Sequence, residues 1–177
     1  FTGFSQFSDS LVQNHHTGFF ISPTRLVLQK SGFQKGFSQE NSIDASLGIV
    51  YMYKPERRFS LQAEASLRFQ TIQFNTESVK EKREFIDVHS SALIVFRLFQ
   101  HRLSPRIYVG PGYALSLTAE NMDGTSITMN SGIGMDFHFK SFSLRPVFIV
   151  SNKQDFLIGD IYKGTANLWS FKLIFYN

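Results

Sequence analysis

The sequence predicts an all-β fold: an eight-stranded antiparallel up-and-down β-barrel that crosses a membrane. Three observations carry this reading. Apolar and polar residues alternate with a period of two over long segments. Those segments run to about 11–15 residues, well beyond the five or six of an ordinary strand. The connections between them alternate between short and long, the plan of a transmembrane barrel.

The alternation is cleanest from Phe59 to Gln70, where Phe59, Leu61, Ala63, Ala65, Leu67 and Phe69 share one face and polar residues the other. Residues 42–53, 106–120 and 127–140 repeat it. The segments 85–99, 142–152 and 166–177 are noisier, and a first strand near Gly18–Leu28, of ambiguous phase, completes the set. Short turns are expected at Pro55–Arg58, Gln100–Pro105 and Lys140-Ser141. Long polar loops are expected at Gln29–Asn41, Asn75–Glu84, Glu120–Ser126 and Asn152–Thr165. With eight strands, both termini fall on the short-turn, periplasmic side.

Composition agrees with this plan. The 177 residues include 20 Phe, and only 18% are charged, against roughly 25% in soluble proteins. The absence of Cys excludes disulfide scaffolds and thiolate zinc sites. A net charge of +4, scattered along the chain, gives no case for nucleic acid. The chain begins at Phe1, without the Met, basic stretch and apolar core of a signal peptide, and is expected to be a mature or trimmed form. Residues 1–17 read as an irregular periplasmic segment and residues 18–177 as the barrel. The adjacent His15-His16 reads as part of a solvated tail rather than a metal site.

The apolar face is expected to meet lipid. It is rich in Phe, Leu and Ile, while the other face carries Gly110/Gly112 and Gly132/Gly134, small enough for a narrow interior. Asp44, Glu64, Arg68, Asp87, Arg97, Asp136, Arg145 and Lys172 lie on that inner face. Isolated buried charges are very costly, so they should form an internal network, with Glu64 paired to Arg97, Arg145 or Lys172. The alternation puts Asp44, Arg68 and Asp87 near the outer rim and the rest deeper. Tyr51, Tyr53, Phe59, Phe99, Phe139, Phe142, Phe175 and Tyr176 would girdle the periplasmic interface.

Several motifs resemble those of the PorT-like outer-membrane barrels of Bacteroidota. These are FSLQAEASLRF (59–69), IYVGPGYALSL (107–117), SGIGMDFHFKSFSLRP (131–146) and WSFKLIFYN (169–177). The resemblance implies residence in a Gram-negative outer membrane, and a non-enzymatic role as a structural or accessory subunit of a secretion or barrel-assembly complex. Expected contacts are outer-membrane lipids, lipopolysaccharide and protein partners, with no cofactor. In the mixed-sign loop 75–84, Glu77, Lys80, Lys82 and Arg83 would supply a partner contact.

Two alternatives belong to other classes. A soluble ligand-binding barrel would turn its apolar face inward. A lipid A-modifying enzyme would need a nucleophile and base, for which His89 and Ser91 with Asp87 are the candidates. The phase points both inward, away from lipid. His138 beside Asp136 reads as a member of the network, and no residue is assigned a catalytic or metal-binding role.

Overall fold

The computed structural model describes residues 14–29, 38–40, 43–54, 58–75, 80–99, 104–117, 125–139, 142–158 and 162–176, with backbone alone at 38, 40, 74, 75, 80, 81 and 154–158. Eight long strands follow in order: β1 (His15–Leu28), β2 (Asp44–Tyr53), β3 (Phe59–Asn75), β4 (Lys80–Arg97), β5 (Pro105–Ser116), β6 (Thr125–Met135), β7 (Ser143–Ile158) and β8 (Tyr162–Tyr176). Each pairs antiparallel with the next, and β8 returns to β1 in a register running from Gly18↔Tyr176 to Leu28↔Ala166. The sheet therefore closes into a barrel with no free edge.

Period-2 alternation becomes inside and outside. Along β3 the odd residues 59–69 are exposed and the even residues 60–70 are buried. The first strand takes the phase in which Phe19, Ile21 and Pro23 face out and Phe20, Ser22, Thr24 and Leu26 face in. Large apolar side chains remain exposed on seven of the eight strands, among them Ile49 at 67%, Ile133 at 63% and Trp169 at 46%, and on β7 the outward Leu144, Pro146, Phe148 and Val150 are half-exposed. A water-soluble surface does not carry an apolar belt of that extent.

Three boundaries differ from expectation. Strand β1 starts at His15, inside the segment read as irregular, because its ring stacks on Tyr53 at 4.9 Å and bonds to the Tyr51 hydroxyl. Residues 80–84 and 152–158 continue the strands as projecting hairpins instead of forming loops, so the connections there shrink to residues 76–79 and 159–161. Tyr176 points into the barrel rather than joining the aromatic girdle. The outward Tyr51, Phe59, Phe99, Phe139 and Phe142 line part of the end where β1 begins and β8 finishes.

At the opposite end β2 stops at Asp44, while β1 and β3 continue. Side chains close the gap. Asp44 Oδ1 accepts the Thr71 backbone N–H at 2.9 Å. The short segment Ser38–Glu40 pairs with residues 73–75. The Gln39 amide then acts as a ladder rung for β1, accepting from Leu28 N at 2.8 Å and donating to Leu26 O at 2.7 Å. Glycine serves the narrow bore directly: a Cβ on Gly112 would sit 2.8 Å from His89 Nε2 and 2.6 Å from Asn130 Nδ2. Gln39→Leu should leave the barrel folded but expose the Leu28 amide, and hydrogen exchange there is expected to accelerate by about tenfold or more, the loss of one hydrogen bond.

Candidate functional site

The buried interior has three parts. Leu26, Leu28, Ile72, Phe85, Tyr162, Ala166 and Leu168 form an apolar cluster at the end away from the termini. A second cluster, which includes Phe20, Met52, Val95, Tyr108 and Ile149, packs towards the terminal end. Charged and hydroxyl side chains share the bore with these clusters. Strand alternation delivers residues from every wall to the same axis, which explains why partners lie far apart in sequence.

Asp136, just after β6, receives Arg106 from β5 and Arg145 from β7. Arg145 also donates to the Tyr176 hydroxyl at 2.9 Å and lies 4.6 Å above its ring. Glu64 accepts three donors: Lys172 at 2.5 Å, Gln62 at 2.8 Å and Ser91 at 3.1 Å. Gln62 Oε1 in turn accepts from Arg145 at 3.4 Å and Tyr176 at 3.3 Å, so one glutamine ties the two groups together. Across the barrel, Lys153 of β7 donates to Asp87 of β4 at 2.9 Å. All of these charged groups are at least nine-tenths buried.

The expected interior set needs four corrections. Asp44 is only half-buried, at the end of β2 away from the termini, where it caps the Thr71 backbone N–H. Arg97 is half-exposed, at the terminal end of β4. Arg68 and Asp87 are 2% exposed, well inside the bore, because the projecting hairpins and the apolar cluster extend beyond them. His138 is exposed and bonds to Ser143 Oγ at 2.8 Å. Arg106 and Lys153, absent from that set, are central. Their inward phase was readable, but position 106 looked like a turn edge and 153 like loop. Among the loop residues, Lys82 is exposed beside Glu84 and Arg83 is half-exposed, both within β4. Lys80 is described only as backbone, and Glu77 lies outside the described residues.

His89 and Ser91 each engage a residue of another strand. Both are buried; Ser91 donates to Glu64, and His89 Nε2 faces Thr128 Oγ1 at 3.3 Å. Among the described residues, no group of three His, Asp or Glu could hold a metal ion.

No family model matches the chain, and no curated protein matches its sequence significantly. Solved structures do match. The outer membrane protein OprG from Pseudomonas aeruginosa is 12% identical with a TM-score of 0.59, covering 92% of each chain. Neisserial surface protein A, NspA, is 10% identical with a TM-score of 0.58, covering 90% of this chain and 95% of its own. Ail, the attachment invasion locus protein of Yersinia pestis, is 11% identical with a TM-score of 0.52, covering 93% and 98%. The chain has the fold of the eight-stranded outer-membrane barrels.

Removing one partner of a buried pair leaves an uncompensated charge. Glu64→Leu or Lys172→Met alone should each lower stability by about 3–5 kcal/mol, and the double substitution should recover most of that loss, as read from urea unfolding in detergent micelles. Lys54, in the turn after β2, is partly buried, and Arg106 and Arg145 lie close; its pKa is lowered to about 8. The unfolded chain therefore holds a proton that the fold releases. Stability should rise as pH increases from about 8 towards 10, and the rise should be smaller in Lys54→Met.

Proposed function

We propose that this protein is an integral outer-membrane β-barrel with a non-enzymatic role, working as a structural or accessory subunit of an outer-membrane assembly. The observation that carries the reading is the combination of an exposed apolar belt around the barrel with a bore filled by ion pairs. An outside of that kind suits lipid, where only a closed barrel satisfies the backbone of a β-protein. A filled bore suits structure more than transport or catalysis.

In this reading the termini and the aromatic girdle lie on the periplasmic side. The hairpins of β3–β4 and β7–β8 project outwards among lipopolysaccharide and carry any partner contact, with Lys82 and Arg83 on the first. The resemblance to PorT-like barrels favours protein secretion or barrel assembly as the setting. Burial of Ser91 against Glu64 weighs against a lipid-acting enzyme.

Fractionation followed by purification in mild detergent tests the proposal. The protein should sediment with the outer membrane, require detergent, and elute with a stable protein partner. Monodisperse behaviour without detergent would overturn membrane residence. A lone barrel that deacylates lipid A, with activity lost in Ser91→Ala, would overturn the non-enzymatic role.

A further inference from the structure

The buried charges do not balance. Glu64, Asp87 and Asp136 face Arg68, Arg106, Arg145, Lys153 and Lys172, so three acids meet five bases among the described residues. Each acid is committed: Glu64 to Lys172, Asp87 to Lys153, and Asp136 to both Arg106 and Arg145. Arg68 is left over. It is 2% exposed and its Nη1 has no hydrogen-bond partner; Asp87, registered opposite, and Glu64 attract it, but both are bonded to lysines and no carboxylate among the described residues bonds to it. An unpaired guanidinium in a closed bore is among the costliest arrangements in a protein.

Further unsatisfied donors surround it. Gln70, two residues along the same face of β3, is 1% exposed and both its amide atoms lack partners. His89 is 1% exposed with Nδ1 unpartnered; it lies two residues from Asp87, which is registered opposite Arg68. Thr24 on β1 is 2% exposed with a free hydroxyl, and faces the same section of the bore beside Ser22, whose β2 partner Ser46 is registered with Arg68. The apolar cluster around Ile72 and Phe85 caps this section.

We propose that this cluster of unpartnered groups binds a small inorganic anion, a halide or one of similar size, held by the Arg68 guanidinium with the Gln70 amide, the Thr24 hydroxyl and the His89 ring as further donors. The anion supplies the charge that the acids do not, and folding encloses it behind the apolar cap. Water satisfies the further donors equally well but leaves the surplus charge of Arg68 standing, which is why an anion is favoured.

The test uses the refolded barrel in detergent, with chloride exchanged for gluconate at fixed ionic strength. An anion bound only by the fold raises the unfolding temperature with chloride concentration. The wild type should show that rise. Arg68→Met should need about tenfold more chloride or more for the same effect, or lose it. Should Arg68→Met fail to fold, Gln70→Leu should still weaken the chloride dependence. Crystals grown in bromide should show one anomalous scatterer beside Arg68. A wild type indifferent to chloride, an Arg68→Met barrel with unchanged dependence, or a bromide map with water only at Arg68 would overturn the proposal. None of these outcomes bears on membrane residence, which fractionation measures separately.

Discussion

Closure of the backbone hydrogen-bond ladder between β1 and β8 is the constraint from which the rest of the structure follows. Inside an apolar medium an unpaired N–H or C=O has no water to turn to, so a sheet with an edge is not viable there. Pairing from Gly18↔Tyr176 to Leu28↔Ala166 removes that edge. Where strand pairing runs out, side chains continue it, as Asp44 does for Thr71 and Gln39 for Leu28. Where proline removes a donor the ladder skips: pairing breaks around Pro23 on β1 and around Pro111 on β5, and both prolines face outwards.

Closing only eight strands fixes a bore that side chains must fill. This explains why Gly112 has no room for a Cβ. It also explains why charged residues on opposite walls can touch. Lys153 and Asp87 lie on strands that are not neighbours, yet meet across the interior. Low dielectric strengthens such pairs and penalises any mismatch, so the same geometry that ties Glu64 to Lys172 makes the lack of a bonded carboxylate at Arg68 meaningful.

The strand phase was legible in the sequence because one face is apolar and the other polar, and a slip of one residue would exchange them. That was enough to put Glu64, Arg68, Asp87, Asp136, Arg145 and Lys172 inside. It was not enough to say who pairs with whom, because partners depend on shear and on distances across the bore, which alternation does not encode. Gln62 was unreadable as the link between two ion groups for that reason. The hairpin extensions do not stand out because 80–84 is charged on both faces, while 152–158 runs from polar Asn152–Asp155 into the consecutive apolar Phe156, Leu157 and Ile158, so neither alternates. With those extensions Arg68 and Asp87 lie deeper than the alternation alone implies. Tyr176 resembles an interface aromatic by its place at the end of the last strand, but its even phase matches Lys172 and Ile174, which face inward.

The central claim is that the outward, apolar face of the strands meets lipid. Trp169, the only tryptophan, stands 46% exposed on that face of β8 and serves as a built-in probe. Its fluorescence should be measured after reconstitution into bilayers whose acyl chains carry bromine, against unbrominated bilayers and against aqueous iodide. Strong quenching by the brominated chains with little by iodide is the predicted result. Quenching by iodide alone would put this face in water and contradict the account.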